Sequence, residues 1–128
     1  MRARPRASTR SSARIGADRG SVRSCHSLAL FFEAGEGVPH SAPEALRWAQ
    51  TGLRHAAAAE GAPDAPNRED VSSCHYMAGK LLASAPAGVA KDERAALRHF
   101  EESLRLSPQN QNALHGISVL RAQMRNSD

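Results

Sequence analysis

Apolar residues in this chain recur in steps of three and four. Val22, Cys25, Leu28, Ala29 and Phe32 stand at i, i+3, i+6, i+7 and i+10, which is one face of an α-helix. The same pattern returns 49 residues on, at Val71, Cys74, Met77, Ala78 and Leu81, and it carries Ser24-Cys25-His26 into Ser73-Cys74-His75. A second block repeats 51 residues apart. Gly37-Val38 matches Gly88-Val89, Ala45-Leu46-Arg47 matches Ala96-Leu97-Arg98, and Leu53-Arg54 matches Leu104-Arg105. The two offsets describe one unit present twice: a helix, a glycine-containing turn two residues longer in the second copy, and a second helix.

Boundary residues agree with this reading. Ser41-Ala42-Pro43-Glu44 has the form of a capping box with proline in the first turn. Asp92-Glu93 places acids where the next second helix begins. Asn67 is suited to cap the helix containing Val71, and residues 60–66 have the composition of a loop. Ser107-Pro108 reads as the N-cap and first residue of a fifth helix, whose face continues through Leu114, Ile117 and Leu120. Five helices are expected, at about 21–35, 42–58, 68–84, 92–106 and 109–124. The fold class is all-α, an α-hairpin repeat stack of two helical hairpins plus a C-terminal capping helix. Its domain spans 21–124, between a basic tail at 1–20 and a short tail at 125–128.

Composition adds two points. Aromatic residues are scarce at 4% and alanine is abundant, which suits closely approaching helices. The net charge of +4 belongs to the tail: residues 1–23 hold seven arginines and one acid, leaving ten basic and twelve acidic residues elsewhere. A nucleic-acid surface on the folded part is therefore not expected. Residues 1–20, rich in Arg, Ser and Ala, have the composition of a transit peptide, for which mitochondria are the usual destination. The other readings are a basic tail without an address, and a nucleic-acid arm, which lacks aromatics and lysine. Cytoplasmic residence is the alternative location.

Two cysteines, Cys25 and Cys74, are too few for a disulfide framework. At equivalent positions of helices spaced about 8–10 Å apart, they are expected to be small buried residues beyond disulfide reach. The Cys-His dipeptides do not suggest a metal site, because adjacent helical residues diverge by about 100° and zinc needs about four converging ligands. No nucleophile elbow, S-x-x-K, H-E-x-x-H or phosphate loop is present. No catalytic residue, metal or cofactor is assigned. Trp48 reads as a packing residue, with an interface anchor as the alternative.

The residues of the second copy, Ala96-x3-Phe100-x2-Ser103-x4-Pro108, resemble the second-helix pattern of tetratricopeptide repeats, with serine for the last alanine. Cys25-x2-Leu28-Ala29-x2-Phe32 and Cys74-x2-Met77-Ala78-x2-Leu81 resemble that family's first helix, with Cys for Trp and Ala for Gly. The stretch from Phe31-Phe32 through Gly35, Gly37-Val38 and Ala45 to Trp48 is similar to the Sel1 type. The resemblance covers about residues 22–124 and implies a binding scaffold. A cysteine-rich Sel1 branch includes a mitochondrial assembly factor of cytochrome oxidase; the partner cysteines of that branch are missing here.

In these families the position of His26 faces the concave groove. His75 is its repeat, and His115 aligns with both on the fifth helix. The resemblance thus implies a ladder of three imidazoles along a partner-binding groove, with Arg23, Glu33 and Ser72 beside it. The expected function is a protein–protein interaction scaffold, an assembly factor or a subunit of a larger mitochondrial complex. The alternative is a Cys-dependent redox or haem-binding protein. About two and a half repeats leave apolar ends open, so a homodimer or residence in a complex is expected.

Overall fold

The computed structural model describes residues 21–35, 40–63 and 65–127. Five helices follow in order: α1 (Val22–Ala34), α2 (Ala42–Ala58), α3 (Arg68–Ser84), α4 (Glu93–Leu106) and α5 (Gln111–Ser127). The first four agree with the sequence-based bounds to within a residue. The tail at 1–20 and the Gly37-Val38 turn lie outside the described residues.

Each helix starts where a short polar side chain can replace the missing i−4 partner of the first amides. Ser21 Oγ accepts from the Ser24 amide at 3.2 Å, Ser41 Oγ from Glu44 at 3.3 Å, Asn67 Oδ1 from Glu69 at 2.7 Å, and Asp92 Oδ1 from Ala95 at 3.0 Å. The fifth start differs from expectation. Asn110 Oδ1 accepts from Ala113 at 3.1 Å, so α5 begins at Gln111 and Ser107 instead caps the end of α4. Ser107–Pro108–Gln109–Asn110 is a turn, closed by Asn110 N–H donating to the Ser107 carbonyl at 3.0 Å. The side-chain acceptor three residues ahead of a free amide decided the boundary, and proline marked the turn. At the other end α5 runs through Ser127, past the expected 124 and into the expected tail.

Consecutive helices pair as hairpins, α1 with α2 and α3 with α4; α2 and α1 both pack on α3, and α5 packs mainly on α4. Both turns are tied back in the same way. The Ser41 amide donates to the Phe32 carbonyl at 2.9 Å and the Asp92 amide to Leu82 at 3.2 Å. Gly35 ends α1 at φ 74. Gly88, at φ 87, sits so near Pro43 of α2 that a Cβ there would lie 2.6 Å from the proline ring. Only glycine suits both the left-handed backbone and this approach.

The core runs through the whole stack, from Cys25, Leu28 and Ala29 through Trp48 and Met77 to Phe100, Ile117 and Leu120. Trp48 is 5% exposed, so it packs rather than projects. Three glycines set the helix crossings. A Cβ on Gly52 would stand 2.9 Å from Cys74 Sγ and 3.0 Å from Cys25 Cβ. Cβ atoms on Gly79 and Gly116 would stand 3.0 and 2.8 Å from the Phe100 ring. Phe100 of α4 thus fills a slot between α3 and α5 that exists because both lack a side chain there.

Candidate interaction surface

Three of the sequence-predicted site residues lie on α1 and meet α3. Arg23 Nε is 3.5 Å from Asp70 Oδ2, and Lys80 Nζ is 2.5 Å from Glu33 Oε2. These bridges join α1 to α3 at both ends of the contact. Each is partly exposed, so each is worth at most about 1 kcal/mol. His26 is half-buried on the same helix. Burial lowers its pKa, Asp70 and Glu33 oppose that fall, and Lys80 adds to it.

His115 is exposed on α5. It lines a cleft of about 270 Å³ between α3 and α5, with Tyr76 and Lys80 on one wall, Val119 on the other and Phe100 and Leu120 beneath. Leu120 and Phe100 are buried, whereas Val119 is 40% exposed. Lys80 belongs both to this cleft and to the bridge with Glu33, so the two features form one surface over α1, α3 and α5. Lys80 Nζ also lies 5.9 Å from the Tyr76 ring centroid.

Two expected members of that surface are elsewhere. His75 does not join a ladder with His26 and His115. Its Nδ1 is 3.0 Å from His99 Nδ1 of α4, one ring donating and the other accepting. It lines a separate cleft of about 410 Å³ with Leu53, Ala56, Val71, Glu102 and Leu106. The two linings share no residue. The physical reason is that α3 is covered by α1 and α2 on one flank and α4 on the other, so its His75 position meets a helix. Burial, and then the neighbouring His99, push His75 down to about 4. His99 is lowered too, by burial and then Arg98. Beside them, Arg105 holds Glu102 below the usual carboxylate range through hydrogen bonds.

Ser72 is likewise not a groove residue. It is 2% exposed, and its hydroxyl donates to the Ser103 carbonyl at 2.8 Å while Ser103 Oγ donates to the Ser72 carbonyl at 3.0 Å. Asn110 Nδ2 completes the set with 3.1 Å to Ser103 Oγ. The serine that replaces the motif alanine is the partner of Ser72, and both hydroxyls are satisfied.

Cys25 and Cys74 are buried thiols, each 0% exposed. Both pack against the bare backbone of Gly52, and both are free thiols. Burial raises Cys74 to about 12, with Cys25 and Asp70 adding to the rise. A thiol so held carries little thiolate near neutral pH and is a poor nucleophile. Among the described residues no group of three or more His, Cys, Asp or Glu is arranged to hold a metal ion, and no helix is long and apolar enough to cross a membrane.

Sequence reasoning missed Tyr76, Lys80 and Val119. A signal existed for the first two, since Tyr76, Lys80 and Ala83 stand at i, i+4 and i+7 on α3. The matching residues of α5 depend on how it crosses α3, which no local pattern states.

Two hairpins of one repeat type and a closing helix define a helical-repeat protein. Among solved structures, the Sel1 repeat protein from Oxalobacter formigenes is similar to this chain at 21% identity, covering 84% of this chain and 95% of that one, with a TM-score of 0.34. The repeat architecture rests on the chain's own geometry. No family model matches the sequence, and no curated protein matches it.

Proposed function

We propose that this chain is a non-catalytic protein–protein interaction scaffold whose contact surface is the face formed by α1, α3 and α5, with Arg23, His26, Glu33 and His115 among its residues. The observation that carries this reading is the junction at Lys80, where an interhelical bridge runs into an apolar-floored cleft. Val119, in the wall of this cleft, is 40% exposed, which supports contact with a protein partner or a second copy. The Arg-rich, acid-poor segment 1–20 supports a mitochondrial address, and with it a role in assembling or forming part of a larger complex there. The redox or haem alternative finds no support in Cys74, whose thiol is buried and raised.

A photo-crosslinking residue placed at Val119, and separately at Arg98 of α4, tests the surface. In cells expressing the full chain, Val119 is expected to capture one protein reproducibly and Arg98 not to. Capture from both positions alike, or from neither, would sink the reading. Mass spectrometry of the same material gives the mature N-terminus and so tests the tail.

A further inference from the structure

We infer that the cleft between α3 and α5 receives one large apolar side chain, aromatic or branched aliphatic, from a partner peptide that carries a carboxylate next to it, with Lys80 as the counter-charge. This rests on the scaffold reading and names the chemistry of its partner.

Size gives the first argument. At about 270 Å³ the cleft falls below the range of about 300–1,000 Å³ usual for small-molecule sites, yet it can take a single anchoring side chain. Its surfaces suit such an anchor. Phe100 and Leu120 form a buried apolar floor, and Tyr76 and Val119 form the walls.

Charge gives the second. The lining holds Lys80 and His115, and among the described residues no carboxylate lines it. Asn112, also at the edge, offers a side-chain amide to a peptide backbone. The present partner of Lys80 is Glu33, which belongs to α1 and is not among the lining residues. A partly exposed ion pair of this kind is weakly held. A peptide carboxylate arriving beside a buried anchor therefore exchanges for Glu33, and the ammonium keeps a counter-ion throughout.

The test uses random 12-residue peptides displayed on phage and selected on the full chain, followed by fluorescence polarisation with labelled copies of the enriched peptides. Enrichment of Phe, Tyr, Leu or Ile beside Asp or Glu is expected. Lys80→Gln is expected to weaken binding about fivefold or more, and Val119→Glu to do so at least as strongly, about one factor of five per 1 kcal/mol of lost contact. Glu33→Gln is the deciding variant. It removes the competitor for Lys80 and is expected to tighten binding about two- to fivefold, with melting curves showing that each variant folds. If Lys80 served only to brace α1 on α3, Glu33→Gln would leave affinity unchanged or lower it, and that result overturns the proposal. Enriched peptides without acidic neighbours, or indifferent to Lys80→Gln and Val119→Glu, also overturn it while leaving the scaffold reading intact. Failure to enrich any peptide overturns it as well, and the crosslinking experiment then decides the scaffold reading on its own.

Discussion

At the crossing in the first hairpin, Gly52 of α2 lets Cys25 and Cys74 close over its bare backbone. At the equivalent position in the second hairpin, 51 residues on, Ser103 of α4 is locked to Ser72 by paired hydrogen bonds. The neighbouring positions differ in the same sense. Trp48 and Ala49 of the first hairpin correspond to His99 and Phe100 of the second. His99 bonds to His75, and Phe100 reaches on to α5. One repeated pattern is thus closed around a glycine in one copy, with the Cys74 thiol donating to the Val22 carbonyl at 3.9 Å, and held by serine and histidine pairs plus one aromatic ring in the other. Neighbours explain the difference. The outer face of α1 meets solvent, where Leu30 is 43% exposed. α3 is enclosed on both flanks, so its polar side chains must find partners inside the protein.

The strongest way to break the comparison is at Phe100. Phe100→Ala empties the slot between Gly79 and Gly116 and is expected to cost about 3–5 kcal/mol in urea unfolding, with α5 losing amide protection first. Equal loss of protection across all helices would show that α5 does not depend on this ring.

Gly52→Ala should come next. The new methyl meets Cys74 Sγ, and such overpacking costs about 1–3 kcal/mol, offset in part by alanine's helix preference of about 1 kcal/mol. The double variant Gly52→Ala/Cys74→Ala is expected to recover the loss. Without recovery, contact with the sulfur is not what selects glycine.

A smaller effect belongs to the serine pair. Ser72→Ala and Ser103→Ala should each cost about 1 kcal/mol. The double variant should cost less than their sum, because either change already breaks the shared set. Strict additivity would mean that the two hydroxyls act separately.

Acid is a perturbation of another kind. Above the unfolded value of about 6.5, folded and unfolded chains both carry neutral imidazoles at 75 and 99. Below it the unfolded chain takes up protons that the folded pair resists, down to about 4 for His75. Stability therefore falls with pH across that window. His75→Gln should flatten the decline in melting temperature between pH 7 and 4.5. An unchanged slope in the variant would place the proton uptake elsewhere.

Much of the helical framework was legible in the sequence. Four helices could be bounded to a residue because their caps are local: an amide three residues or fewer from Ser21, Ser41, Asn67 or Asp92 needs nothing distant. The one misplaced start shows the same rule, since Asn110 offered a cap that the Ser-Pro signal obscured. The site was only half legible. Glu33 and Arg23 could be placed near an α1–α3 surface, but not paired with Lys80 and Asp70, because ion pairs between helices follow from how the helices cross.

What the sequence by itself determined is the repeat, its helical period and the residues that stop and start each helix, all set by interactions within about one turn. What only the tertiary structure decided is the fate of equivalent positions. His26 lies by the α1–α3 bridges, His75 is half-buried against His99, and His115 stands exposed at a cleft, although all three occupy the same register. Register sets the direction of a side chain from its own helix; the neighbouring helix decides whether solvent, a charge or another ring is found there.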